Sequence, residues 1–341
     1  MAFALSILDL APISSDSTSA QALHNSIELA QLADRLGYTR YWLAEHHNIP
    51  SIAISVPEIM IGIVARETTQ IRVGSGGMML PNHAPLRVAE AFRTLEALYP
   101  GRIDLGIGRA PGTDPVTAYA LRRSRERVQA DDFPDQLAEL LAFDSNTFPE
   151  PHPFRTIRPT PRDVGLPPIW LLGSSGGFSA QLAATVGLGF AFAYHINPNV
   201  NDMQAAFQTY RAHFTPSAQL PAPHTILAIG VLCAETEERA EELATILDLA
   251  YLRRHTGQPA PLPTLAEAKA YPFTELERDQ AHAYRARQII GSPATVKARI
   301  DALLAQSGAD ELMALTNLSD HAARLRSYAL LAEAFALSPR E

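Results

Sequence analysis

The chain reads as an α/β protein, a (β/α)8 TIM barrel, on three observations. Eight apolar stretches of strand length alternate with helical stretches along its 341 residues. The links between them are short, so each strand is expected to lie beside the next and run parallel to it. The run from Val164 to Tyr194 carries no charged residue, the composition of parallel strands covered on both faces.

Taken in order, strands are expected near Phe3 to Leu8 and Arg40 to Ala44. Between them Leu23, Ile27, Ala30, Leu32, Ala33 and Leu36 recur at helical spacing, and Gly37 follows as a C-terminal cap. Ile71 to Gly74 and Arg102 to Gly106 supply strands three and four, Ile169 to Leu172 and Gly189 to Ala193 strands five and six. Thr225 to Leu232 and Glu311 to Leu315 complete the eight. The uncharged run exceeds the roughly 20 residues that span a bilayer. Pro167, Pro168, Ser174, Ser175, Gly176, Gly177, Gly187 and Gly189 interrupt it, so it reads as strand, turn, helix and strand. The repeat is weakest from Asp248 to Ile290, rich in Pro, Arg, His and Glu, which is expected to be a helical insertion between strands seven and eight. An open doubly wound sheet would show a break into halves. None is visible, so residues 1–341 are read as one barrel domain.

Composition excludes several functions. With 28 Lys and Arg against 36 Asp and Glu, a net charge of −8, the surface repels phosphate backbones, and no nucleic-acid partner is expected. Cys233 is the only cysteine, which excludes a disulfide framework and a multi-cysteine metal site and suits a buried small hydrophobe. No metal is expected, and the first strand lacks the His-x-His pair of a metal-hydrolase barrel. Met1 to Leu10 has no basic leader and reaches Asp9 early, so it reads as a strand of a cytoplasmic enzyme with no membrane segment.

In such barrels the chemistry lies where strands end. The second strand runs into Trp42-Leu43-Ala44-Glu45-His46-His47. Side chains alternate along a strand, so only one of the two histidines faces the mouth, which disfavours a metal pair. The third strand enters Gly74-Ser75-Gly76-Gly77-Met78-Met79-Leu80-Pro81-Asn82-His83-Ala84-Pro85. Glycines there argue for a bulge or for the close approach of a flat ligand. Asn82 and His83 either reach the pocket or cap the helix near Pro85. The fourth strand ends in Gly106-Ile107-Gly108-Arg109-Ala110-Pro111-Gly112. This is not the dinucleotide fingerprint, because the third glycine comes one residue late and Pro111-Gly112 stands where the helix would start. After strand five, Gly173-Ser174-Ser175-Gly176-Gly177 precedes a helix, as an N-cap or an anion site. Tyr194-His195 closes strand six, and Asp320 is placed to cap the last helix.

The Trp42 to His47, Ile71 to Pro85 and Gly101 to Arg109 stretches together resemble the flavin-dependent luciferase-like monooxygenases, the family of bacterial luciferase. The resemblance covers nearly the whole chain and is nearest to the oxidoreductases of biosynthetic clusters. It implies that His46, with Glu45, is catalytic and that His46 lies beside the flavin as an acid or base. It implies a non-proline cis peptide at Gly76-Gly77 beneath the isoalloxazine ring, with Ser75 and Met78 beside it and Met78 as a polarisable wall. Arg109 is implied as an FMN phosphate ligand, since guanidinium matches phosphate oxygens. The Gly173, Ser174, Ser175, Gly176 and Gly177 turn would share that phosphate, and Tyr194 would border the ring.

By the same resemblance the cofactor is FMN, used as FMNH2 with O2 on a small organic substrate. No nicotinamide domain accompanies the barrel, so a separate flavin reductase is the expected source. Deazaflavin F420 with hydride transfer is the alternative, and a non-catalytic flavin-binding protein is a third reading. Substrate contacts are expected from the 248–290 stretch and the loop after Gly108, and a long-chain aldehyde does not follow from the resemblance. A homodimer is expected through two helices, one bearing Val56, Ile59, Met60, Ile63 and Val64, the other Leu86, Ala89, Phe92, Leu95 and Leu98.

Overall fold

The computed structural model describes residues 4–175 and 177–340. β1 (Ala4–Asp9) leads through α1 (Ser19–Leu36) to β2 (Arg40–Leu43), and α2 (Pro57–Glu67) leads to β3 (Arg72–Met79). α3 (Pro85–Leu98) precedes β4 (Ile103–Gly108), after which α4 (Pro115–Arg122), α5 (Arg125–Gln129) and α6 (Phe133–Ser145) intervene before β5 (Ile169–Gly173). α7 (Phe178–Thr185), β6 (Gly189–Ala193), α8 (Val200–Ala212) and β7 (Thr225–Cys233) continue the alternation. α9 (Glu237–His255), α10 (Leu265–Ala270), α11 (Glu275–Arg285), β8 (Ile289–Gly291) and α12 (Pro293–Ser307) come next, then β9 (Glu311–Leu315) and α13 (His321–Ala334).

β1 to β7 and β9 close into a parallel eight-stranded barrel, with β6 paired to β7 and β7 to β9. The fold is the predicted (β/α)8 TIM barrel. The short β8 stands outside the ring, pairing with Val231–Cys233 while the earlier residues of β7 pair with β9. It is a ninth strand that the sequence reading assigned to insertion. That stretch also has no boundary at Asp248, which lies inside α9, so the first half of α9 is the ordinary helix after β7.

Strand positions follow the alternation. Leu5, Ile7, Leu43, Val73 and Leu105 face outward into the helical layer. Leu8, Trp42, Trp170, Ile226 and Met313 face inward as a second apolar cluster, with Trp42 and Trp170 edge to face at 5.7 Å. Toward the N-terminal ends of the strands the interior turns ionic. Arg40 donates to Asp104 at 2.8 Å and to both oxygens of Glu311 at 3.0 Å, and Arg72 donates to Asp104 at 2.6 Å. The guanidinium of Arg40 also lies 4.7 Å from the centroid of Trp170. Buried charges persist only when paired and hydrogen-bonded, and here each has a partner.

Smaller expectations hold in place. Gly37 ends α1 in the left-handed region and Asp320 caps α13 by accepting from the Ala323 N–H. Cys233 is a free, buried thiol, and burial pushes its pKa up to about 12. Among the described residues no helix is long and apolar enough to cross a membrane.

Candidate active site

A cavity of about 680 Å³ opens at the C-terminal ends of the strands, within the usual size range of ligand sites. Small residues create it. Ala44, Gly76, Gly108, Ala193, Ala228 and Gly230 line it, where a filled barrel carries bulky branched side chains.

β2 delivers His46. Trp42, Ala44 and His46 line the cavity, so Glu45 faces the other way and does not. Its fully buried carboxylate accepts from the Met79 N–H at 2.8 Å, from His47 and His83 Nε2 at 2.9 and 3.0 Å, and from Asn82 Nδ2 at 3.3 Å. Burial alone raises its pKa, but the His83 hydrogen bond and charge outweigh this and hold it below the usual carboxylate value. Asn82 and His83 therefore neither reach the cavity nor cap α3. They tie the turn after β3 to the end of β2.

Two imidazoles face the cavity, His46 and His195. His46 Nδ1 is buried and has no hydrogen-bond partner among the described residues, and burial depresses its pKa. His195 Nδ1 lies 3.2 Å from the Ala228 carbonyl, which selects the Nδ1–H form and leaves Nε2 as an acceptor. The sequence reading singled out Tyr194 here. Tyr194 instead packs on the outer core, and the alternation through Ala191 and Ala193 brings His195 to the cavity. Burial pushes the His195 pKa down to about 4 from 6.5. The unfolded chain then binds the extra proton first, so this stabilisation is present above pH 6.5 and is lost as pH falls toward 4. Wild type should lose up to about 3 kcal/mol more than His195→Asn between pH 7 and 4 in denaturant titrations. Equal losses in both proteins would contradict this.

β3 supplies the floor. The Gly76–Gly77 peptide is cis, and the register with β4 shifts between Ser75 and Met78. A Cβ on Gly76 would meet Leu8 Cδ1 at 2.8 Å and Trp42 Cβ at 3.0 Å, so a side chain here would crowd the residues packed against it. Gly76 lines the cavity, whereas Gly77 does not. Ser75 is buried, its Oγ donating to the Gly106 carbonyl at 2.8 Å. Met78 lies in the outer core, and after the bulge Met79 takes the cavity-facing place expected of it.

β4 and β5 bring a cation to a turn. Arg109 lines the cavity with 46% of its side chain exposed, and its nearest carboxylate is Asp131 at 3.9 Å. Its guanidinium lies 4.8 Å from the ring centroid of Phe178, the first residue of α7. Gly173, Ser174 and Ser175 line the same wall, and Gly177 takes the cap position of α7 outside the lining set. Gly176 lies outside the described residues. Neither serine caps α7, and among the described residues no side chain does, which leaves its N-terminus available to an anion. Asn317, after β9, also lines the cavity, its Oδ1 buried without a partner among the described residues. No motif in the sequence marks it.

Residues 3–311 match the family described as luciferase-like monooxygenase. The chain belongs to the luciferase-like monooxygenase family. An Escherichia coli K12 protein named luciferase-like monooxygenase is 42% identical over 327 residues, covering 96% of this chain and 95% of that one. The solved structure of apo-MsnO8 is 40% identical, with a TM-score of 0.88 and 99% of each chain covered. The oxygenating constituent of 3,6-diketocamphane monooxygenase from Pseudomonas putida, solved with FMN, is 19% identical, with a TM-score of 0.73 and both chains fully covered. An F420-dependent secondary alcohol dehydrogenase has the same fold at 13% identity, with a TM-score of 0.63 over 98% of this chain and 99% of that one. The cavity combines a side-chain-free position at Gly76, small walls, and a cation beside a helix N-terminus that no side chain caps, features that a phosphorylated, flat-ringed cofactor of the flavin or deazaflavin kind would suit.

Proposed function

We propose that this chain is a cytoplasmic monooxygenase that takes reduced FMN from a separate flavin reductase and uses dioxygen to oxidise a small organic substrate. The observation that carries the reading is the meeting of Arg109 with the N-terminus of α7 at the edge of a cavity floored by Gly76. Arg109, Ser174 and Ser175 would hold the phosphate, with Gly173, Gly176 and Gly177 shaping the turn. Gly76 and Met79 would lie under the ring, backed by Gly77, Ser75 and Met78. Bound reduced flavin supplies the electrons that activate oxygen; the protein supplies binding, exclusion of water and proton transfer. His46 is the proton-transfer group, neutral at pH 7 because it is buried. Glu45 is a positioning residue that fixes the β2 and β3 ends around it. Tyr194 supports the wall from behind through its neighbour His195.

Arg109→Ala should weaken FMN binding by about 1.5–3 kcal/mol, the scale of a charge-assisted hydrogen bond, while riboflavin, which lacks the phosphate, binds mutant and parent alike. Fluorescence titration of both flavins checks this. Equal weakening would remove Arg109 from the phosphate.

We also propose a homodimer through α2 and α3. Met60, Val64, Ala89, Phe92 and Leu95 are used up inside the subunit, but Ile59 and Leu98 are 61% and 64% exposed, and Val56 and Ile63 are exposed as well. Such a patch suits a self-complementary two-fold contact. Light scattering should give twice 37.1 kDa, and Ile59→Glu with Leu98→Glu should give the single-chain mass. A dimer that survives both changes would reject this interface.

A further inference from the structure

We propose that the cavity holds, beside the flavin, a substrate with a carboxylate on an apolar body, and that Arg254 and Arg287 grip the carboxylate. This rests on reading the cavity as a flavin and substrate site. Arg254, near the end of α9, and Arg287, just past α11, both line the cavity. Their guanidinium groups lie 5.9 and 5.7 Å from the ring centroid of Tyr284, which also lines it. Tyr284 is in turn fixed by stacking on Tyr251 at 4.4 Å.

Among the described residues no carboxylate pairs with either arginine. The contrast with Arg285 is direct, because that side chain is tied to Glu241 and Asp248. In a chain of net charge −8, two cations left without acids at a cavity rim create a local positive potential for an anion. The phosphate end is elsewhere. β4 and β9 are four strands apart in the eight-stranded ring, and the α9 to α11 excursion lies between β7 and β9, so this pair faces Arg109 across the mouth. FMN carries one phosphate, which Arg109 and the uncapped α7 N-terminus suit. The second cationic rim is therefore free for the substrate.

The charge of that group follows from the helix ends. α9 and α11 both end here, at His255 and Arg285, and the negative ends of their dipoles offset part of the charge of the two arginines, leaving a site that suits a single negative charge better than two. A carboxylate suits the two guanidinium forks. Between the rim and the floor, Leu247, Leu262 and Leu315 line the way down and would cover the apolar body.

The test is calorimetric titration of sodium decanoate and of decanamide, its neutral counterpart, into the protein with FMN present. Wild type should prefer decanoate by about tenfold or more. R254Q/R287Q should lose that preference, R109Q should keep it, and FMN should bind R254Q/R287Q as it binds wild type. Both arginines are exposed, so the double variant is expected to fold. The proposal is overturned if wild type shows no preference, if R109Q loses it while the double variant keeps it, or if FMN affinity falls in the double variant. Arginines that merely neutralise helix ends would lower stability and leave the preference intact, which also overturns it. Failure of FMN to bind wild type would defeat the flavin reading alone, and the decanoate comparison in flavin-free protein would still decide the rim.

Discussion

Arg40→Met is expected to destabilise the protein by about 3–5 kcal/mol, the usual result of removing one partner from a buried charge pair. Arg40 bridges Asp104 and Glu311, both fully buried at the N-terminal ends of the strands. Without it Asp104 keeps Arg72, but Glu311 is left with Ser6 and His224. The sign of the pH dependence follows. Burial pushes both carboxyls up, and the Arg40 charge, with that of Arg72 on Asp104, outweighs it and holds them below their ordinary values. Their stabilisation is thus present above the ordinary carboxyl range and is lost as pH falls through the depressed values. In the variant Glu311 can relieve its cost by taking a proton. The gap between variant and wild type in urea titrations should therefore be widest near pH 7 and narrow in acid. A gap below 1 kcal/mol at pH 7 would show that the network contributes little.

His46→Ala should leave FMN affinity nearly unchanged and slow oxygen-dependent turnover by about 10²–10⁴-fold, the scale of a lost acid or base. The residue lines the cavity with a buried, unpartnered Nδ1, so that nitrogen is free to face a bound group. Burial holds its pKa below 6.5, and the acid limb of the wild-type rate profile should accordingly lie below pH 6.5. Full turnover in the mutant with reduced FMN in excess would remove His46 from the mechanism. His195 offers an internal comparison, since it lies in the same cavity and titrates lower still.

The barrel was legible because its grammar is local. Apolar strands, helical spacing and glycine caps recur at every step, and all eight barrel strands fall where the pattern places them. β3 extends past Gly74 to Met79, since a bulge keeps glycines in the strand where propensity would end it. The site was legible only in part, for the same reason that strands are easy to read. Which residue of a pair faces inward depends on register, and a one-residue slip exchanges the faces. That slip separates Met79 from Met78 and His195 from Tyr194. Applying the alternation of Ala191 and Ala193 one step further would have found His195. Glu45 was hidden differently, because its partners His83, Asn82 and the Met79 N–H lie more than thirty residues away in sequence. Arg254, Tyr284 and Arg287 lie in the stretch whose periodicity fails, and only the folded chain brings them together at the rim.

The central claim is that this cavity works with reduced FMN and oxygen. Anaerobic titration with reduced FMN and with reduced F420, each followed by admission of oxygen under an oxygen electrode, tests it most directly. The account predicts that reduced FMN binds, that Arg109→Ala weakens this binding, and that oxygen is consumed in proportion to bound flavin. Binding of reduced F420 in preference to reduced FMN, with no oxygen consumed, would contradict it.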